Sequence, residues 1–448
     1  MRRLHAESAH LCGDEFAFIL WDAEKFYDNV DLWLLYEASI NCGMPRRQML
    51  LSLLVLMAPR QVKVGNVVGN RVQPANGMTA GLKRANFFAR LLLFKTLETL
   101  HAAIPRAGPR QYVDDLAQLI WGTRQEVIEL AVRSAWMLQL ALKQIKVKIS
   151  FKSVIVGSTI GIAREISDAL FKKCGLRLEA VKQGVDLGID CGGRMRATQK
   201  MQERETKTNS KLLKITYLRS LSMDARKLVP TGADPQRSYG HTVYGMPPTK
   251  IASWRSRNCE ALGVATSACN ASALELMDKV YDPALEARVD QVRFWSDLWG
   301  KLDVDGKARV TAAWFHFKRS LRDNWWQQVA GPLGATFVTL AQLGWTPIGP
   351  DAFKDPSGCI WCGDGAGGRN REFERAVRES ARKQLWLHAA NHYCGHGLAE
   401  GGDFTAAKKL RIRLMKAMKF SEVGILDSIV SGACWFGDRF LCGITRAL

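Results

Sequence analysis

Two adjacent aspartates near the middle of the N-terminal half are the residues best suited to chemistry. Asp114 and Asp115 stand in the stretch RQYVDDLAQLIWG, between short apolar runs. Neighbouring like charges repel each other, and a divalent cation relieves that repulsion. Ligands that are all oxygen select Mg²⁺ or Mn²⁺, and a two-metal centre needs a further carboxylate from elsewhere in the fold. The alternative interpretation is a polar turn, in which aspartate is common.

A third carboxylate, Asp22, follows the apolar run of residues 16–21, whose length and composition predict a β-strand. Residues 111–113 and 116–121 predict a hairpin with Asp114 and Asp115 at its tip. We therefore expect three carboxylates to meet at one edge of a sheet. Taken alone, Asp22 has a commoner role, as the N-cap of the helix that follows a strand.

A glycine-containing loop, GMTAG, precedes a predicted helix over residues 83–100. Gly77 and Gly81 let the backbone approach a base pair or a sugar closely, and Lys83 and Arg84 add positive charge beside them. A glycine before a helix is also an ordinary feature.

The order and spacing of these motifs resemble those of reverse transcriptases, most closely the LINE-type (non-LTR) retrotransposon enzymes and their divergent dinoflagellate copies. The YxDD motif of that family is matched by YVDD. The matching positions are Asp22, Tyr27 and Asp28 in the first motif, GMTAG in the loop, Tyr112 to Asp115 in the hairpin, and Lys152 in IKVKISFKS.

The resemblance implies RNA-directed DNA polymerisation by two-Mg²⁺ phosphoryl transfer, with an RNA template, a DNA primer and dNTPs as partners. Asp22 and Asp114 would hold the two Mg²⁺ ions, and Asp115 would support them. Lys152 would lie near the pyrophosphate as a general acid. Tyr27 would act as the steric gate that rejects a 2′-hydroxyl.

Two departures from the family weaken this interpretation. The first departure lies in the loop that the resemblance assigns to substrate binding. Ala80, just before Gly81, stands where the family has glutamine. The chain begins about twenty residues before Asp22, so we expect the fingers region to be missing. Because of these departures, two alternative functions stay open: a decayed palm-fold protein that only binds nucleic acid, and an RNA-dependent RNA polymerase. Asp28, the last residue of the first motif, is expected to cap or brace the next helix.

The net charge of +20 indicates a polyanionic partner, either nucleic acid or an anionic membrane surface. Residues 141–250 contain 21 Lys and Arg against 9 Asp and Glu. Within them a basic helix is predicted from Met195 to Leu221. We expect its Lys207, Lys211 and Lys214 to contact the phosphates of a nucleic-acid duplex. A solvated surface is the alternative interpretation.

The resemblance implies an α+β fold with a ferredoxin-like βαββαβ palm at 1–160. The later chain resembles the family only in general character, and its charge and composition indicate a basic thumb-like region at 161–250 and a helical C-terminal region at 251–448. Residues 231–250, rich in Gly and Pro, predict a linker or extended loop. The longest apolar run, residues 49–58, is too short to cross a bilayer. Eleven scattered cysteines favour a reducing compartment, so we expect an intracellular protein of the nucleus or cytoplasm without membrane attachment.

Two features of the C-terminal region each have two interpretations. Trp295 and Trp299 have helical spacing, which favours packing between helices over base stacking. A zinc site could form from cysteine and histidine side chains, with surface histidines and buried thiols as the alternative. The candidate ligands are Cys359, Cys362, His388 and His392.

Overall fold

The computed structural model describes residues 1–79, 81–196, 199–264, 269–277, 282–362, 370–391 and 395–433. The protein is mixed α+β. It divides into two compact units. The first comprises residues 4–197 with Arg2, and the second comprises residues 198–448 with Met1 and Arg3.

Within the described residues, the first unit is built on a five-stranded sheet with the order β4-β5-β1-β6-β7. The β6–β7 pair is parallel, and the other pairs are antiparallel. The strands of this sheet are β1 Glu15–Trp21, β4 Arg110–Tyr112, β5 Asp115–Gly122, β6 Val154–Gly157 and β7 Glu179–Ala180. Two separate hairpins pair β2 Lys63–Val64 with β3 Val67–Val68 and β8 Gln183–Asp186 with β9 Ile189–Gly192.

The central strand β1 is apolar on both faces because both faces of the sheet are covered. Ile19 and Trp21 point into a core shared with the long helices, whereas Phe16 and Phe18 pack on the other side with residues that include Ala6 and Cys191. A run without polar alternation is typical of such a strand. The strand predicted over residues 16–21 is therefore confirmed, with Glu15 added at its start.

The helices of the first unit are delimited by local signals. Thr123 and Glu126 form a capping box at the start of α6, and Gly175, in the left-handed region at φ 71°, ends α7. The helices are α1 Arg2–Leu11, α2 Phe26–Asn29, α3 Leu32–Asn41, α4 Arg46–Met57, α5 Ala85–Ala103, α6 Arg124–Gln144 and α7 Ile160–Cys174, with a 3₁₀ turn at Pro105–Ala107.

The second unit is mostly helical. Its helices are α8 Gln199–Leu221, α9 Asp234–Ser238, α10 His241–Tyr244, α11 Pro248–Leu262, α12 Asn270–Leu276, α13 Pro283–Trp299, α14 Val304–Ser320, α15 Trp325–Gln328, α16 Pro332–Gln342, α17 Arg371–Ala390, α18 Thr405–Lys416 and α19 Phe420–Val430. A 3₁₀ turn spans Met223–Lys227 and a π turn spans Val229–Ala233. The short strands β10 Thr346–Pro347, β11 Ala352–Lys354 and β12 Ile360–Cys362 form one antiparallel sheet.

Aromatic packing forms one core of the second unit. Trp295 and Trp299 are buried and stacked, with ring centroids 6.4 Å apart. Trp314 lies 5.3 Å from Trp295 and 5.3 Å from Phe337. The prediction that these tryptophans pack between helices is confirmed.

The observed division differs from the boundaries expected at residues 160 and 250. Helix α7 packs on β6, and β7 pairs with β6, so residues 160–180 complete the sheet of the first unit. Leu212 and Ile215 of α8 share a hydrophobic core with Leu262 of α11, so the basic helix belongs with the residues beyond 250. These boundaries are set by strand pairing and burial between residues far apart in the chain, which composition does not reveal.

The linker expected at residues 231–250 is wrong. The segment forms α9 and α10 and buries Asp234, Arg237, His241 and Tyr244. Asp234 Oδ1 accepts hydrogen bonds from Trp254 Nε1 and Asn258 Nδ2, each at 2.8 Å. Proline is common in the first turn of a helix and glycine at helix ends, so a segment rich in both can form short helices as well as a loop. Composition alone therefore does not distinguish the two.

Two bulk expectations concern the chain as a whole. In the described part of the chain, no helix is both long and apolar enough to cross a membrane. The cysteines in these ranges are free thiols.

Candidate active site

The register between β1 and β5 brings two of the three predicted carboxylates together. Trp21 pairs with Leu116, so the next residues along the two strands, Asp22 and Asp115, are neighbours where β1 ends and β5 begins. An antiparallel ladder places directly opposite residues about 5 Å apart at Cα. Local sequence patterns predict that these carboxylates meet at one edge of a sheet. The β1–β5 pairing is the long-range contact that brings Asp22 and Asp115 there.

The hairpin between β4 and β5 is tighter than predicted. Tyr112 pairs with Asp115, so the turn consists of Val113 and Asp114, and Asp115 belongs to the strand. Only Asp114 is therefore at the tip, contrary to the prediction that both aspartates are there. Because Tyr112 and Asp115 are paired, the loop between the strands has only two residues, and Asp115 is not one of them.

The turn also holds an unfavourable backbone conformation. Val113 has φ 60°, a region that a β-branched residue rarely enters. The Gln111 side-chain amide braces it by donating to the Val113 carbonyl at 2.6 Å and to the Ala89 carbonyl at 3.2 Å. Strain that is held by such contacts is characteristic of functional sites. Gln111 was not identified from the sequence, because its partners are distant in the chain or depend on the turn.

The electrostatics show that the carboxylates lie close enough to affect each other. The pKa of Asp115 is raised by partial desolvation, then by the charges of Asp114, Asp22 and Asp186, while Arg2 opposes the shift. Arg2 donates to both carboxylate oxygens of Asp186, at 2.8 and 2.7 Å. Asp186, on the β8–β9 hairpin, is an acidic neighbour that sequence reasoning missed.

Tyr27 lies beside this cluster, on the short helix α2. Its pKa is raised by partial desolvation and by the charge of Asp114. The Tyr27 hydroxyl donates to Asn86 Oδ1 at 3.1 Å, and its ring meets Phe26 edge to face at 5.5 Å. The first motif and the hairpin motif are therefore adjacent in space. The Tyr27 side chain is held by the hydrogen bond of its hydroxyl and by the contact of its ring with Phe26.

The GMTAG loop is seated against the same helix. Gly77 has φ 92°, and a Cβ there would come within 2.8 Å of the Asp28 carbonyl oxygen. Met78 N donates to the Tyr27 carbonyl at 2.6 Å, and Gly77 N donates to the Val30 carbonyl at 2.8 Å. The close approach that glycine permits here is to the protein's own backbone.

The other predicted loop residues have less defined surroundings. Gly81 has φ 87° with open space around its α-carbon, and Ala80 lies outside the described residues. Lys83 and Arg84 are exposed at the start of α5. These positions are accessible, and their part in substrate binding stays a prediction.

The loop that carries Lys152 is tied directly to Asp22. Ser150 N donates to the Asp22 carbonyl at 2.8 Å, and Asp22 N donates to Ser153 Oγ at 2.9 Å. Lys152 itself is exposed. Lys148, in the same loop, lines a narrow pocket with Asp22 and Asp114. The sequence interpretation chose one lysine of the basic run IKVKISFKS and missed the one that lines this pocket.

The role expected for Asp28 is wrong. Asp28 is exposed within α2, and Asp31 caps α3 by accepting from Trp33 N at 2.9 Å and Leu34 N at 3.1 Å. Lys146 pairs with the other oxygen of Asp31 at 2.6 Å. The cap is Asp31 because that residue directly precedes the first helical turn.

Basic residues are exposed in both units. Lys207, Lys211 and Lys214 lie on the solvent side of α8, while Thr208, Leu212 and Ile215 form its buried side. In the first unit the sequence between Glu37 and Glu98 contains nine Lys and Arg and no acidic residue. The excess of basic residues over 141–250 gives no indication of this second basic stretch.

The donor chemistry of the aspartate cluster fits a hard divalent cation. Asp22, Asp114 and Asp115 offer only carboxylate oxygens, and their mutual repulsion is what a cation would relieve. Within the described ranges, no three His, Cys, Asp or Glu side chains are arranged as a ready set of metal ligands.

The proposed zinc ligands occupy different surroundings. Cys362 is exposed at the end of β12, and Cys359 is exposed just before that strand, where Asp355 accepts from the Cys359 backbone N at 2.9 Å. His388 lines a cavity beside α11 and α13, and His392 lies outside the described residues. The zinc site stays a prediction.

No family model matches the chain, and no curated protein matches it.

Proposed function

We propose that this protein is an RNA-directed DNA polymerase whose first unit is a reverse-transcriptase palm. The observation that carries the proposal is the meeting of Asp22, Asp114, Asp115 and Tyr27, from two separate sequence motifs, at one edge of the sheet. The strand order β4-β5-β1-β6, with helical segments after β1 and after β5, is the order of a βαββαβ ferredoxin-like unit and supports a palm.

In this proposal Asp22 and Asp114 would hold two Mg²⁺ ions, and Asp115 would support them. Bound Mg²⁺ neutralises the phosphate charge that develops during in-line transfer. The chain's own task is to position the carboxylates. The β1–β5 pairing places Asp22, and the Gln111-braced turn places Asp114.

The remaining residues select and orient the substrates. Tyr27, held by Asn86, presents its ring beside Asp114, where the sugar of the incoming nucleotide would lie. A ring there excludes a 2′-hydroxyl and favours dNTPs. Lys148 and Lys152, on the loop bonded to Asp22, supply positive charge for the pyrophosphate, with Lys152 as general acid. The RNA template and DNA primer are held by basic surface residues.

The test is primer extension on an RNA template with Mg²⁺ and either dNTPs or rNTPs. The wild-type protein is expected to extend with dNTPs, and Asp22→Asn is expected to extend at background level. Tyr27→Ala should raise rNTP use relative to dNTP use by roughly 10- to 100-fold, the range of a lost steric contact. Tyr27→Phe keeps the ring and should retain most of the discrimination.

Each failure has a distinct meaning. Duplex binding without extension would favour the decayed palm-fold alternative. A preference of the wild type for rNTPs would favour an RNA-dependent RNA polymerase. Unchanged discrimination in Tyr27→Ala would remove Tyr27 from the sugar site while leaving polymerisation intact.

A further inference from the structure

A cavity of about 650 Å³ lies in the second unit, among α11, α12, α13 and α17. Among the described residues that line it, none has a carboxylate side chain. Its polar lining includes Arg255, Arg288, His388, Gln384 and Asn270. Apolar residues such as Ile251, Ala271 and Leu385 form the rest of its wall. Neither the polymerase proposal nor the zinc prediction accounts for this arrangement.

The two arginines share one carboxylate. Arg255 pairs with Asp282 through two hydrogen bonds, at 2.9 and 3.1 Å, and Asp282 Oδ1 also accepts from Ala284 N at 2.9 Å. Arg288 donates to the Ala284 carbonyl at 2.6 Å and has no ion pair among the described residues. Both oxygens of Asp282 are thus bonded to Arg255 or Ala284, and among the described residues the charge of Arg288 has no paired carboxylate.

Burial makes this remaining charge unfavourable. Desolvation lowers the pKa of Arg288, and the nearby charge of Arg255 lowers it further against the opposing effect of Asp282. A guanidinium stays charged at neutral pH, so its environment gains stability when an anion enters.

Backbone dipoles at the cavity have the same sign as the arginines. Pro248 and Thr249, in the first turn of the 15-residue helix α11, line the cavity, and α11 begins without a side-chain cap. Ala284, in the first turn of the 17-residue helix α13, also lines it. The partial positive charge of the uncapped α11 N-terminus adds to that of the two guanidinium groups, whereas the N-terminus of α13 is already capped by the Asp282 carboxylate.

We infer that this cavity binds a phosphate monoester of nucleotide size. Guanidinium groups present paired N–H donors that match phosphate oxygens, and a volume of this size is typical of small-molecule sites. The phosphate group faces Arg255 and Arg288, while the apolar wall contacts the sugar and base. The ligand is a free nucleotide or the 5′-phosphate end of a nucleic-acid strand. The inference is independent of the proposed polymerase function.

The first experiment measures binding of AMP, adenosine and inorganic phosphate to the full chain by isothermal titration calorimetry. AMP is expected to bind, inorganic phosphate to bind more weakly, and adenosine to show no binding. Equal binding of AMP and adenosine, or no binding of AMP, would overturn the inference. A 5′-phosphorylated pentanucleotide that displaces AMP, when its 5′-hydroxyl counterpart does not, would assign the strand end as a ligand. Failure of both to displace it would assign the free nucleotide.

Variants separate the cavity from general surface charge. Arg288→Met should weaken AMP binding by roughly 10- to 100-fold, the effect of losing a charged hydrogen bond. Arg257→Met removes the same charge from an exposed position on α11 outside the lining and should leave binding unchanged. Equal weakening by the two variants would contradict the inference.

A second pair of variants protects the test against misfolding of Arg288→Met. Ala252 lines the cavity but is exposed, so it tolerates a larger side chain. Ala252→Glu should weaken AMP binding at least about tenfold relative to the isosteric Ala252→Gln, because only the former repels a phosphate. Equal affinities would show that phosphate does not enter this cavity.

Discussion

The two units place carboxylates in opposite surroundings. In the first unit, partial desolvation raises the pKa of Asp115, and the charges of Asp114, Asp22 and Asp186 raise it further. In the second unit, Asp234 is 3% exposed, and burial raises its pKa to about 6 although Trp254 and Asn258 donate to it. Burial is the largest cause of the raised pKa in both places, and the repulsion of three neighbouring carboxylates is what distinguishes Asp115.

The difference separates a reactive arrangement from a structural one. Crowded carboxylates at the edge of a sheet gain from an external cation, which points to chemistry. A carboxyl that is enclosed and bonded to two donors of its own unit orders a segment, and this explains why residues 231–250 fold against α11. Substitutions at the two places should consequently separate activity from stability.

The largest expected effect is on activity in the first unit. Asp114→Asn should reduce primer extension by at least about 1,000-fold, because it removes a metal-ligand charge from the proposed site. Its melting temperature should be unchanged or slightly higher, since a like-charge repulsion is relieved. Asp168→Asn, on an exposed face of α7, is the matched control and should keep full activity. Normal extension by Asp114→Asn would make the YVDD turn merely structural.

The next effect is on stability in the second unit and depends on pH. The folded-state pKa of Asp234, about 6, exceeds the ordinary 3.8, so the folded state binds the proton more tightly. Its stabilising contribution is complete below about pH 4 and is lost as the pH rises through 6, a change of about 3 kcal/mol.

Asp234→Asn keeps a neutral acceptor and should remove this dependence between pH 4 and 7 in chemical denaturation. Asp234→Ala leaves the Trp254 and Asn258 donors unbonded and should destabilise the unit by about 1–3 kcal/mol near pH 4. A denaturation profile of the wild type that matches Asp234→Asn over this range would show that Asp234 does not titrate on folding.

A smaller effect is expected from the basic helix α8. Replacing Lys207, Lys211 and Lys214 with Ala should make the slope of log K against log salt shallower by up to about three for duplex binding. Folding should be retained, because all three side chains are exposed. Binding titrations at several salt concentrations measure the slope, and an unchanged slope would place these lysines away from the phosphates.

The smallest effect concerns the strained turn of the first unit. Val113→Gly should be more stable than Val113→Ala by about 1 kcal/mol, because only glycine adopts a positive φ without strain. This reverses the usual order, in which alanine is favoured over glycine. Equilibrium denaturation of the two variants gives the comparison directly, and the usual order would mean that the turn relaxes in solution.

The sequence alone identified features that depend on neighbours in the chain. The apolar run before Asp22 predicted β1, the aspartate pair between apolar runs predicted the hairpin, and the spacing of Trp295 and Trp299 predicted their burial. Each is encoded by local periodicity or turn chemistry, which require no knowledge of distant partners.

The tertiary structure decided what depends on distant contacts. The β1–β5 register placed Asp22 beside Asp115, and packing against α11 turned a Pro- and Gly-rich segment into buried helices around Asp234. The cavity that contains Arg255 and Arg288 exists because four helices meet there. Register, burial and the balance of charges within an enclosed space are set by residues far apart in the chain, so no local pattern could specify them.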